Sequence, residues 1–201
     1  MVLHNKSAYP QVCFDLLAYM ENKWQEYLTY HTISHIIDVA NVCENYIAHY
    51  DLDQTNAKLI RVAAISHDIG YLSSPKDHEE VGILEIKPFL EPLFDSHQLE
   101  RINGMIRATR VPQNPTNLYE EILADADLDY LGRSDYDTLS KGLYKEFRHF
   151  KMISNELDWL DVQIDFFKNH SYHTSFAKAT RSESKNKKLK ELKHKRASIE
   201  R

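Results

Sequence analysis

The sequence predicts an all-α protein, a single bundle of eight or nine helices, and three observations lead there. Apolar residues recur at helical spacing along nearly the whole chain. With 5 Gly and 6 Pro in 201 residues, a turn-dense all-β or collagenous chain is excluded. No alternating run bounded by turn residues, internal repeat or linker stands out.

The elements follow in order. Phe14, Leu17, Ala18 and Met20, then Trp24, Tyr27 and Leu28, lay an apolar stripe on a first helix. Ile36, Val39, Ala40, Cys43, Tyr46, Ile47 and Tyr50 form the second, with Ser34 available as its cap. Leu59 to Ile69 is apolar nearly all round and belongs at the centre of the core, with Gly70 as its stop. Val81 to Phe94 contains Pro88 and Pro92, so a kink or two short helices are expected. Leu99 to Thr109 ends at the loop Val111-Pro-Gln-Asn-Pro, and Leu118 to Leu131 ends at Gly132. Further helices are expected at about 135–151, 155–169 and 176–196.

The formal net charge of -5 hides a split. Residues 181–201 hold nine Lys/Arg against three Asp/Glu, leaving 16 basic and 27 acidic residues before them. The expected organisation is therefore a helical domain over 1–180 and a basic helix or tail over 181–201. An acidic body disfavours nucleic acid as a partner, and the tail reads as a solvated helix. No stretch reaches the roughly 18 apolar residues of a membrane span. The start MVLHNKSAYPQVCF lacks the apolar core of a signal peptide, so a cytoplasmic protein with reduced Cys13 and Cys43 is expected. An oligomer is compatible with this composition.

The chemistry concentrates in a few phrases. IRVAAISHDIGYL sets His67 and Asp68 side by side in an apolar helix, and burying an ionised carboxylate requires a compensating partner. Taken alone, the pair reads as an ordinary helix C-terminus. His35, however, opens another helix on the face of Val39 and Cys43, and LADADLDYLG offers Asp125, Asp127 and Asp129 in an apolar frame. Alternate acids on a helix point about 200° apart, so at least one should point inward. A His, a His-Asp doublet and a remote Asp make a two-nitrogen, two-oxygen set suited to a divalent metal.

His35, then His67-Asp68, then an Asp of ADADLDYLG resembles the H…HD…D signature of the HD-domain superfamily of metal-dependent phosphohydrolases. The resemblance covers about residues 28–135, through YHTISHIIDVANV, RVAAISHDIGY, HEEVG and DADLDYLG. SYHTSFAKATR looks like the end of a bacterial subgroup of that superfamily. The resemblance implies a helical bundle around one divalent ion (Mn, Ni, Co, Fe, Zn or Mg). His35, His67 and Asp68 match the first three ligands, and Asp127, or else Asp125, the fourth. Asp129 is expected as a surface or outer acid.

The implied activity is hydrolysis of a phosphoester or phosphoanhydride of a small molecule, a nucleotide or nucleotide-derived signal, by a metal-activated water. Asp68 would hold the ion and orient that water, while a non-coordinating His carries the proton. His31, four residues before His35, and His78 in KDHEEVG are the candidates. HTISH lacks the Glu of the HExxH zinc-protease motif. Arg107, Arg110 and Lys76 are the candidate phosphate contacts. Two other readings remain open: a di-iron HD-type oxygenase, which the Arg and Thr of IRATRVP disfavour, and a non-catalytic module stabilised by its metal.

Overall fold

The computed structural model describes residues 2–199. Among them are nine α-helices, three short 3-10 turns and no strand, in agreement with the all-α reading. The helices are α1 (Gln11–Lys23), α2 (Ile33–His49), α3 (Gln54–Ser66), α4 (His78–Leu90), α5 (Ser96–Ala108), α6 (Leu118–Asp127), α7 (Tyr136–His149), α8 (Glu156–Asn169) and α9 (Ser175–Ile199). They fall into two compact units. One comprises the residues up to Gln25 with His31–Asp127, the other Glu26–Tyr30 with the residues from Leu128 onward. The segment expected as a basic helix or tail is the greater part of α9, which runs unbroken through residue 180.

In the first unit α3 is the central helix. Ala57 and the run Leu59 to Ser66 are all buried, and α1, α2, α5 and α6 pack around it. Arg61, buried in that run, donates to both oxygens of Glu44 on α2 at 2.6 and 2.9 Å, so its charge is paired rather than stranded. Both cysteines, Cys13 and Cys43, are buried in this core and not joined in a disulfide.

Several local expectations are corrected. The first helix stops at Lys23, short of Tyr27 and Leu28. The cap of α2 is Thr32, whose hydroxyl accepts from the His35 N–H, and not Ser34. Pro88 lies inside α4 without breaking it. It falls in the last turn and removes only the bond to Leu84, a residue 69% exposed whose backbone water can reach. The helix from Leu118 ends at Asp127 and yields to a 3-10 turn, Asp129–Gly132.

Gly70 acts through space rather than through backbone freedom. No glycine among the described residues has a positive φ. A Cβ on Gly70 would lie 1.9 Å from the His78 carbonyl oxygen and 2.7 Å from the Gly82 nitrogen. The 3-10 turn Ile69–Leu72 and α4 thus meet backbone to backbone, at a separation only glycine permits. Asp77, left-handed at φ 53°, turns the chain so that His78 opens α4 above that contact.

In the second unit, Leu128, Tyr130, Leu131, Tyr136, Leu160, Ile164 and Phe167 share a core with Tyr30 and Leu192. Glu146 of α7 accepts from the Tyr30 N–H at 2.6 Å.

This seam makes a prediction. Gly70→Ala should lower folding stability by at least about 1–3 kcal/mol, since the clash is with backbone that cannot rotate away. Gly104→Ala is the control, because its Cβ would meet only the end of the Glu120 side chain, at 2.9 Å. It should be neutral or gain up to about 1 kcal/mol of helix propensity. Chemical denaturation of both variants checks the pair.

Candidate metal centre

Three helices of the first unit converge on one buried cluster. His35 sits in the first turn of α2, its backbone pinned by the Thr32 cap. His67 and Asp68 follow the last residue of α3, and Asp127 is the last residue of α6. Two helix C-termini therefore face the cluster, and their exposed carbonyl dipoles favour positive charge there.

The four side chains alternate His and Asp around a ring. His35 Nε2 lies 3.3 Å from Asp68 Oδ2 and 3.2 Å from Asp127 Oδ1. His67 Nε2 lies 3.2 Å from Asp68 Oδ2 and 3.5 Å from Asp127 Oδ1. One donor atom from each falls within 4.8 Å of all the others. Two ligands about 2.1 Å from one ion and 90–110° apart stand roughly 3.0–3.4 Å from each other, so this spacing fits a shared cation.

Two further observations favour that fit. His67 Nδ1 donates to the Ala64 carbonyl at 2.9 Å, which leaves the Nε2 lone pair facing the ring. His67 Nε2 and Asp68 Oδ2 are also buried without a hydrogen bond of acceptable geometry among the described residues. Such atoms are costly unless something binds them.

The charges are strongly coupled. Burial disfavours the His35 imidazolium, but hydrogen bonds to Asp127 and Asp68 outweigh it and bring its pKa up to about 9. His67 is raised in the same way, against burial, by the charge of Asp68 and the hydrogen bond to Asp127. Burial would lift the Asp68 carboxyl, yet the charge of His67 and the His35 imidazole 3.3 Å away hold it well below the usual carboxylate range. Asp127 is brought to about 2, burial being overcome by its hydrogen bonds to His35 and His67. Each imidazole thus favours positive charge and each carboxylate negative charge, the balance a divalent cation also meets.

The remaining sequence candidates are placed as follows. Asp125 is buried but lies outside the four-residue group, as expected for a residue about 200° round α6 from Asp127. Asp129, expected as a surface or outer acid, is buried in the second unit and paired with Arg181 at 2.7 Å. His78 is at the rim: its Nε2 stands 3.6 Å from Asp68 Oδ1 and 3.4 Å from Glu79 Oε1. His31 precedes α2 and stacks on Tyr71 at 3.7 Å between ring centroids, with Tyr71 in turn 4.0 Å from His78.

Arg110 pairs with the buried Glu79 at 3.2 Å and Arg107 with Glu80 at 2.9 Å, so both are brought to the first turn of α4 and not to the ring. Lys76 is exposed in the loop before it. Tyr71 and Glu79 were not singled out from the sequence. Tyr71 directly follows the HD-Ile-Gly phrase and carries no signal of its own there. Nothing in the pattern Glu79-Glu80 shows that the first is buried and the second half exposed.

Residues 32–129, which include all four ring residues, match the HD domain model. The chain belongs to the HD-domain superfamily. The crystal structure of a predicted HD superfamily hydrolase from an uncultured Thermotogales bacterium shares its fold, with a TM-score of 0.60 over 92% of each chain at 19% identity. No curated protein matches the sequence.

If Asp127 and not Asp125 completes the set, Asp127→Asn should weaken binding of a divalent ion by more than about 100-fold, the upper range for loss of an outer-shell partner. Asp125→Asn should retain the ion. Metal content after dialysis, with far-UV circular dichroism as a folding check, decides between them.

Proposed function

We propose that the protein is a metal-dependent phosphohydrolase acting on a phosphoester or phosphoanhydride of a small molecule, a nucleotide or nucleotide-derived signal. The observation that carries this reading is the alternating ring of two imidazoles and two carboxylates, with a partly exposed His78 at its edge. When bound, a divalent ion supplies the Lewis acidity that acidifies a water and polarises a phosphoryl oxygen.

The chain's own residues do the rest. His35, His67, Asp68 and Asp127 would hold the cation. Asp68 uses Oδ2 toward the ring and turns Oδ1 toward His78, a split that aligns a nucleophile's proton with an imidazole. His78 then carries that proton, and the stack of His31 on Tyr71 beside it restricts the ring's rotation. Glu79 stands between His78 and Arg110, so the acid that orients the imidazole is itself anchored by a guanidinium. An arriving phosphate would compete with Glu79 and Glu80 for Arg110 and Arg107, which places those arginines as switchable contacts.

The test begins with metal analysis of the purified chain, followed by a phosphate-release screen over nucleotides with Mn, Ni, Co and Mg. His67→Ala should abolish release while the chain stays folded. His78→Asn should keep the metal and lose about 10²–10⁴-fold in kcat, the range for a positioned proton carrier. Bound iron together with oxygen consumption, and no release with any ion, would replace the hydrolase reading by the oxygenase one.

A further inference from the structure

The cations of α9 are not alike. Arg181 reaches Asp129 at 2.7 Å, Lys188 reaches Asp137 at 3.0 Å, Lys195 reaches Glu156 at 3.4 Å and Arg196 reaches Asp161 at 2.8 Å. Lys185, at 6% exposure the most buried of them, has no carboxylate partner among the described residues. Its ammonium donates to the His170 carbonyl, where α8 ends, and so serves as a cap. That bond occupies one of three donors and leaves the charge uncompensated. Burial accordingly lowers the pKa of the amine.

Lys185 lines a cleft of about 330 Å³ between the end of α8, the following loop and one face of α9. That volume is at the lower end for small-molecule sites, which run from about 300 to 1,000 Å³. Its polar lining is cationic and hydroxylic: Lys168, Lys178, Lys185, Ser171, Ser182 and Asn186. None of the lining residues is acidic. Lys178 donates to the His173 carbonyl at 2.8 Å, so two ammonium groups are tied to carbonyls of the same 170–173 loop. Lys168 is paired with the exposed Asp165 at 3.2 Å. Residues 178, 182, 185, 186 and 189 follow helical spacing, which puts them on one stripe of α9.

We propose that this cleft is a binding site for a tetrahedral oxyanion, either free phosphate or the terminal phosphate of a small monoester, with Lys185 as its central cation. An ion-paired helix surface would need no such residue. A dianion seated against Lys185 and Lys178, with the hydroxyls of Ser171 and Ser182 and the Asn186 amide as further donors, supplies the counter-charge that the buried Lys185 lacks. The cleft shares no residue with the metal ring, and the proposal stands or falls independently of the hydrolase reading.

Calorimetric titration of the full chain tests it, with inorganic phosphate in one arm and glycerol 3-phosphate in the other. Lys185→Gln should weaken the bound ligand about 10- to 100-fold, the value of one lost hydrogen bond to a charged group. Lys178→Gln, on exposed surface where folding is not at stake, should weaken it in the same direction. Lys190→Gln, which removes equal charge from the exposed side of α9, should change nothing. The tighter arm identifies the free anion or the monoester as the source. Phosphate held at the metal ring would survive Lys185→Gln undiminished. That result, or absence of binding in both arms, overturns the proposal.

Discussion

Two carboxylates and two imidazoles gather within 4.8 Å of one another at the ends of three helices, three of the four residues buried and Asp127 partly so, and little water can reach them. An uncompensated charge in such a place costs several kcal/mol. The alternation of His and Asp resolves this locally, because every carboxylate has an imidazole on either side. It also dictates architecture. The N-terminus of α2 and the C-termini of α3 and α6 must arrive at one point, and the packing of α2 and α6 on the apolar α3 brings them there. A cation is the ligand such a ring is prepared for.

The glycine pair Gly70 and Gly82 extends that centre by one layer. A Cβ on Gly82 would stand 3.2 Å from the Gly70 nitrogen, so each residue needs the other to be small. The backbone contact they permit sets the height of α4 over the 3-10 turn that follows Asp68. His78, the first residue of α4, is thereby held 3.6 Å from Asp68 Oδ1, beside the ring but outside it. The buried Glu79 and the stack through Tyr71 fix its orientation from two further sides. Position comes from backbone sterics, and orientation from the side chains around it.

What the sequence disclosed follows from this division. His67-Asp68 within an apolar helix, and acids within the apolar frame Ile122 to Leu131, conflict with hydrophobic burial, and such conflicts are visible without coordinates. The helical period likewise showed α3 as central. Gly70 was legible as a special position, but its cause was misread as a left-handed stop because a steric contact with a helix twelve residues away leaves no local signature. The role of Thr32 was missed for a related reason: Ser34 and Thr32 are equivalent as caps by type, and only the start of α2 distinguishes them. Arg107 and Arg110 are candidate phosphate contacts by type, and their pairing with Glu80 and Glu79 has no trace in the sequence. Charge pairing between separate helices is a property of packing, and a single sequence does not encode it in any readable spacing.

The uneven charge along the chain acquires a structural cause by the same reasoning. The surplus of Lys and Arg after residue 180 looked like a solvated face, with no partner implied. In the second unit these cations meet Asp129, Asp137, Glu156 and Asp161, all supplied by the preceding turn and helices. Acidic and basic segments are therefore two halves of one interhelical pairing scheme and not a body with an appendage. The exposed pairs among them, those of Lys195 and Arg196, add little stability each, about 0–1 kcal/mol, but they specify which face of α9 turns inward. Lys185 lies on the inward face and is buried there without an acid beside it, so its cleft has a charge to offer.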